Sequence, residues 1–125
     1  MTMPVYIATV SHFTNNSLNA CQACNFSDAG LAWPAVSGHP PNYAGGCFGI
    51  NTLSCQTNIT VTNLCTGSSM SIPILDHGPG AACASDTAPC NQNHYTRLAD
   101  LTDAAYFDLG GKASEGIFPA RITTP

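Results

Sequence analysis

Hydrophobic and polar residues alternate most cleanly between Asn58 and Leu75. In Asn-Ile-Thr-Val-Thr-Asn-Leu, residues Ile59, Val61 and Asn63 fall on one face and Thr60, Thr62 and Leu64 on the other. Ser-Met-Ser-Ile-Pro-Ile-Leu continues the period, with Met70, Ile72 and Ile74 on one face. A period of two is that of a half-buried β-strand. The linker Cys-Thr-Gly-Ser-Ser carries Gly67, a turn signal, so the two runs predict a hairpin. Pro73 cannot donate to a ladder and predicts an edge position or a bulge for the second strand. The hairpin runs into Asp76-His77-Gly78-Pro79-Gly80. An acid there reads either as a turn former or as a working carboxylate.

The rest of the chain follows with weaker patterns. Val5 to Val10 is a short β-prone run. Leu31 to Ser37 is a possible strand limited by Pro34. Residues 47–55, Cys-Phe-Gly-Ile-Asn-Thr-Leu-Ser-Cys, form another, bounded by cysteines. Long loops are expected at about 11–30 and 77–96. The second is rich in Gly, Ala, Cys and Pro, and a loop of that length in a compact domain is often functional and needs a staple. Leu101 to Gly111 carries the convincing helix pattern. Thr102 is its predicted N-cap, Asp103 its first-turn acid, and Gly110 and Gly111 its stop. Gly116 to Thr123 is the last strand. Many strands with one late helix predict a single domain over residues 1–125, built as a small closed β-barrel.

Composition narrows the function. The 125 residues suit one core, and only 8% are charged, against roughly 25% in average proteins. Ser, Thr, Asn and Gln must therefore cover much of the surface. Net charge is −4, with Arg97, Lys112 and Arg121 the basic residues. Three scattered cations make no footprint for nucleic acid or for an anionic membrane surface. The apolar runs are too short to span a bilayer, so no membrane insertion is expected. No phosphate loop, dinucleotide fingerprint or Ser-His-Asp arrangement is visible, and no cofactor is expected.

Seven cysteines point to an oxidising compartment, and their odd number leaves at least one free or bonded outside the chain. The start, Met-Thr-Met-Pro-Val-Tyr, does not read as a signal peptide. The mismatch has three explanations: a removed signal, another export route, or release as a virus or phage particle component. Cys21-x-x-Cys24 with Cys83 and Cys90 could form a zinc set, although the spacing lacks a second tight pair.

Several motifs occur together in a fixed order. They are Val61-Thr62-Asn63, Thr66-Gly67, Leu75-Asp76, Gly78-Pro79, Ala99-Asp100-Leu101-Thr102, Ala104-Ala105-Tyr106-Phe107 and Gly116-Ile117-Phe118-Pro119-Ala120. Over about half the chain this order resembles the double-psi β-barrel proteins: the barwin-like proteins, the N-terminal domain of expansins and rare lipoprotein A. Ala8-Thr9 looks like the family's first strand and Ala20-Cys21 like its early Ala-Cys. The resemblance implies a six-stranded double-psi β-barrel, mainly β, with one or two short helices. Cysteines in this family usually form disulfides, which implies up to three staples and no metal.

The resemblance also implies a site. Asp76 and Asp100 match the acids of the family's groove, and Asp100 matches the general acid of lytic relatives and the acid that expansins need for wall loosening. A carboxyl with a raised pKa can protonate a glycosidic oxygen. One acid suffices for a lytic transglycosylase, whereas hydrolysis needs a second carboxylate. The bland alternatives are a turn role for Asp76 and a cap or structural hydrogen bond for Asp100. Thr9, His77, Tyr43 and Tyr95 are the expected substrate-binding residues, with Trp33 and Phe48 assigned to the core. The expected function is a barrel that interacts with cell-wall polysaccharide or peptidoglycan, with lytic transglycosylase-like chemistry if it is an enzyme. The expected location is extracellular or at the cell wall. The alternatives are a non-catalytic virion component, at the virion surface among other virion or cell-surface proteins, and a protease-inhibitor-like module.

Overall fold

The computed structural model describes residues 3–14, 20–21, 28–39, 48–78 and 84–125. Its strands are β1 (Val5–Phe13), β2 (Leu31–Trp33), β3 (Asn58–Asn63), β4 (Ser69–His77), β5 (Ser85–Thr87), β6 (His94–Thr102) and β7 (Phe118–Thr123). One helix, α1 (Asp103–Asp108), lies between β6 and β7. Neighbouring strands run β1-β7-β3-β4-β2-β6, and β6 returns to pair with β1, so six strands close into a ring. β5 pairs with the start of β6 outside that ring. The β1–β6 and β2–β4 pairs are parallel, and the other four contacts of the ring are antiparallel. This is the six-stranded mixed barrel of the double-psi type. Closure removes the free edges that an open sheet would expose.

The interior is aliphatic with a few rings. Ala8, Val10, Leu31, Ile59, Val61, Ile72, Ile74, Leu98, Leu101 and Ile122 are all buried in one cluster. Trp33 is fully buried among them, and its indole N–H donates to the Asn51 carbonyl at 3.1 Å, so the ring carries no unpaired donor into the core. Phe48 packs against the same cluster.

The hairpin forms as the alternation predicts. Ile59 opposes Ile72 and Val61 opposes Met70, while Gly67 turns the chain with φ +80°. Pro73 does not make β4 an edge strand, because β4 is paired on both sides. The Ile74 N–H points to the Thr57 carbonyl on the β3 side, so the nitrogen of Pro73 faces β2 one residue before that ladder begins at Leu31. No ladder donor is lost there.

Two other expectations change. Residues 48–55 form no strand: Phe48 is helical, and the stretch makes one isolated bridge, Leu53 with Val36. Positive φ values at Gly49 (+59°) and Gln56 (+68°) turn the chain at both ends of this stretch. The two long loops are also shorter than expected. β1 continues through Ser11 to Phe13, and β5 with the first residues of β6 occupies part of 77–96.

Thr102 caps α1: its hydroxyl accepts the Ala105 N–H. The helix ends on a Schellman pair, with Gly110 N–H to the Phe107 carbonyl and Gly111 N–H to the Tyr106 carbonyl. Gly110 holds φ +86°. Gly111 is required sterically, since a Cβ there would lie 2.4 Å from the Tyr106 ring. Disulfides Cys21–Cys55 and Cys65–Cys90 close spans of 34 and 25 residues. Each removes roughly 3–4 kcal/mol of loop-closure entropy from the unfolded chain. They occupy Cys21 and Cys90, which rules out the four-cysteine zinc set; Cys24, Cys47 and Cys83 lie outside the described residues.

Asn63, buried on the apolar face of β3, joins the hairpin to the helix. Its Nδ2 donates to the Leu109 carbonyl at 2.9 Å, and its Oδ1 accepts the Cys65 N–H at 2.8 Å. Asn63→Ala leaves the Cys65 N–H without its side-chain acceptor and the Leu109 carbonyl with the Thr66 hydroxyl at 3.3 Å as its remaining side-chain donor. The expected loss is about 2 kcal/mol of unfolding free energy, read as a lower urea midpoint at unchanged slope.

Candidate functional site

Strand register decides where the acids stand. Asp76 on β4 pairs with Ala32 on β2, and Asp100 on β6 pairs with the same Ala32 from the other side. Asp100 also pairs with Ser11 on β1. Paired residues share a face, so Ser11, Asp100, Ala32 and Asp76 form one row across four strands. Leu31 and Trp33, the neighbours of Ala32, belong to the core cluster, so the row faces outward. The two acids are separated by two strand spacings, roughly 10 Å between Cα atoms.

Simple alternation would not place them there. Ile74 points into the core, and Asp76 two residues later would follow it. The β2–β4 register shifts between Leu31 and Ala32, which makes Leu75 the extra residue on β4 and turns Asp76 outward. The β1–β6 ladder shifts between Thr9 and Val10, with Leu98 the extra residue. Leu98 and Ala99 are both in the core cluster, and Arg97 and Asp100 both face out. Each parallel pair of the ring thus carries one bulge, and each bulge delivers one acid.

The two carboxyl groups are held differently, and both are half-buried. The Ser11 hydroxyl donates to Oδ1 of Asp100. Asp76 Oδ1 accepts two backbone N–H groups, from Ala20 at 2.7 Å and His77 at 2.8 Å. Asp76 therefore fastens residues 20–21 to the end of β4, where the Cys21 N–H also meets the Leu75 carbonyl. It sits inside a strand, not in a turn, and α1 is capped by Thr102, not by Asp100. Ala32 is almost fully buried between the acids, with the backbone of Gly78 over it; a Cβ on Gly78 would lie 3.8 Å from the Ala32 methyl.

Thr9 lies next to this row on β1, two residues before Ser11. It is buried, and its hydroxyl donates to Asp86 Oδ2 at 2.8 Å. Arg97, opposite Thr9, binds both Asp86 oxygens at 3.0 and 2.8 Å. This fork-on-carboxylate geometry neutralises the flank of the row. His77 directs Nε2 to the Pro34 carbonyl at 3.1 Å, and its ring lies 5.4 Å from that of His39. Tyr95 stands five residues up β6 from Asp100, and its hydroxyl accepts from Asn91 at 3.0 Å. At about 3.3 Å per residue it is roughly 16 Å from the acid, beyond the row. Tyr43 lies outside the described residues. Ser11, Asp86, Arg97 and Ala32 are absent from the sequence-based site, since only cross-strand pairing brings them in. A concavity of about 260 Å³ lies elsewhere, beside Cys65–Cys90, Gly111, Lys112 and Glu115, and contains none of the row.

His12 and Asp103 form a second polar pair, at the rim beside α1. His12 Nδ1 is 2.7 Å from Asp103 Oδ1, the Thr14 hydroxyl donates to Oδ2 at 2.8 Å, and the imidazole stacks on Tyr106 at 4.3 Å. The His12 hydrogen bond holds the Asp103 carboxyl below its ordinary value of 3.8, against the opposing effect of partial burial. Burial pushes the Tyr106 phenol up. Among the described residues no group of three His, Cys, Asp or Glu side chains could hold a metal ion.

No family model matches the chain, and no curated protein matches it. Solved structures do. Apo expansin from Clavibacter michiganensis superposes with a TM-score of 0.57 at 17% identity, over 98% of this chain and 50% of that one. A mutant of the same expansin in complex with cellohexaose gives 0.56 at 17% identity, over 98% and 50%. The Streptomyces papain inhibitor gives 0.57 at 15% identity, over 98% and 96%. At these identities the likeness establishes the fold, which expansin and the papain inhibitor share. The chain spans about half the length of the expansin chains it matches. No helix among the described residues is long and apolar enough to cross a membrane.

Asp103 makes a pH prediction with a definite sign. A carboxyl whose folded-state pKa is depressed contributes stability above its unfolded value, and that contribution is lost as pH falls through the folded value. Stability supplied by Asp103 is therefore present above about pH 3.8 and fades on further acidification. Asp103→Asn should show a smaller drop in urea midpoint between about pH 5 and about pH 3 than wild type does. An equal drop in both proteins would place the acid sensitivity elsewhere.

Proposed function

We propose that residues 1–125 form a single polysaccharide-binding domain whose outward Ser11, Asp100 and Asp76, set on either side of buried Ala32, contact a β-linked glycan of the cell wall, cellulosic or peptidoglycan. The observation that carries this reading is the shared register of Asp76 and Asp100 on Ala32, which sets two half-buried acids on one outward face, on either side of β2. Glycan hydroxyls donate well to such acceptors, and a hydrogen bond to a charged group contributes about 1.5–3 kcal/mol. The cellohexaose complex of an expansin with this fold supports the ligand class. Thr9 acts behind the row, through Asp86 and Arg97. His77 and Tyr95 serve at the rim of this site, and Tyr43, outside the described residues, is proposed as a further ligand contact.

Asp100 is the residue for chemistry, if the domain cleaves its ligand. Ser11 orients its carboxyl, and a protonated Asp100 would deliver its proton to the glycosidic oxygen while a sugar hydroxyl of the same chain closes the product. Asp76 assists by position and charge, with one oxygen already committed to two backbone amides. The domain works outside the cell or at the cell wall, consistent with its two disulfides.

A papain-inhibitor-like role is the second reading. It rests on length: this chain and the Streptomyces inhibitor cover each other almost completely. That observation places it ahead of the virion component expected from the sequence. Inhibition of papain at equimolar protein, with no retention on wall material, would select it.

Asp100→Asn should weaken retention on insoluble cellulose or peptidoglycan about tenfold, the loss of one charge-assisted hydrogen bond. Asp76→Asn should weaken it less and leave folding intact, because its Oδ1 still accepts the Ala20 and His77 amides. Soluble sugar release from peptidoglycan that is equal and at background for wild type and Asp100→Asn would eliminate cleavage and leave binding.

A further inference from the structure

Asn58, Ile59 and Thr60 read Asn-Ile-Thr. An asparagine two positions before a hydroxyl residue, with no proline between, is the acceptor pattern for N-linked glycosylation. The pattern alone is common, and the barrel adds what it lacks. β3 turns Ile59 and Val61 into the core, both fully buried, and leaves Asn58 and Thr60 exposed on the outer surface. The acceptor amide and its hydroxyl partner therefore stand on one face, where the folded protein has room for a sugar. Disulfides Cys21–Cys55 and Cys65–Cys90 point to an oxidising environment, as is the lumen in which this modification takes place.

We infer that Asn58 is an N-glycosylation acceptor, carrying a neutral oligosaccharide over the outer face of β1, β7 and β3. In the transfer, Nδ2 of Asn58 displaces the diphosphate of a lipid-linked oligosaccharide. The bond from nitrogen to the anomeric carbon forms, the bond from that carbon to the diphosphate oxygen breaks, and the amide proton goes to a base of the transferase. The lipid diphosphate leaves. Asparagine keeps one N–H on the substituted amide.

The surface around Asn58 gives the sugar a physical role. Thr60 pairs with Thr123, which pairs with Val5; Thr62 pairs with Arg121, which pairs with Ile7. The outer side of these strands thus combines hydroxyl rows with an aliphatic column at the start of β1, where Val5 and Ile7, with Met3 just before them, are exposed by 53%, 46% and 62%. Arg121 is the charge within that array. A chain with 8% charged residues has few other means to keep such a column hydrated.

The test is secretion of the full chain from a eukaryotic host that glycosylates, followed by site mapping. Enzymatic deglycosylation in heavy-oxygen water marks each formerly glycosylated asparagine as labelled aspartate. The expected result is a label at Asn58, lost in Thr60→Ala and kept in Thr60→Ser, which preserves the hydroxyl. Asn15 and Asn25 carry the same pattern outside the described residues, so the assignment must be made on the peptide containing Asn58. An unlabelled Asn58 in the secreted, folded wild type would overturn the inference, whatever the other two show. The sugar-bearing protein should also bind less of an apolar dye than Asn58→Gln; equal binding would remove the proposed covering of the aliphatic column.

Discussion

Pairing of β1 with β6 is the interaction on which the rest of the structure depends. It joins residues 89 positions apart at Ser11–Asp100, and it converts a six-stranded sheet into a ring. The pairing is parallel, so no short turn can make it, and most of the chain must be in place before it forms. Once made, it buries Ala8, Val10, Leu98 and Leu101 together and leaves no ring strand with a free edge. The entropy of such long closures is large, and the two disulfides lower it by cross-linking the unfolded chain.

The same ladder, with its partner β2–β4, makes the acid row. A strand that alternates strictly cannot bury Ile74 and expose Asp76, nor bury Leu98 and expose Asp100. One extra residue in each parallel pair resolves the conflict. The hydrophobic side chain goes to the core, and the acid two positions later goes to solvent. Core packing and site geometry are therefore one decision, taken at Leu75 and Leu98. The two acids then diverge in their duties. Asp76 secures the segment at residues 20–21, whereas Asp100 accepts from the Ser11 hydroxyl.

Polar and steric details also hold α1 against the hairpin. Asn63 reaches across to the Leu109 carbonyl, and Gly111 leaves room for the Tyr106 ring. That ring stacks between His12 and Phe118, at centroid distances of 4.3 and 5.3 Å. A buried amide with both ends satisfied adds specificity, because a slipped hairpin would bury it unpaired. The short helix is thus defined by its cap, its two glycines and this stack more than by its own six residues.

Local chemistry made much of this protein legible from its sequence. The alternation from Asn58 to Ile74, the turn at Gly67, the cap at Thr102 and the glycine stop at Gly110 and Gly111 act within a few residues, and each is where the pattern places it. Motif order pointed to the barrel and to Asp76 and Asp100. The sequence could not reveal Ser11 beside Asp100, the Asp86–Arg97 fork behind Thr9, or the two-sided pairing of β4 despite Pro73. Those depend on which strand lies beside which and on one-residue bulges that invert a face. A period-two pattern has no way to encode a bulge until a neighbouring strand supplies the register. Tertiary pairing alone therefore decided that the acid ending the hairpin faces solvent in line with a second acid, instead of following Ile74 into the core.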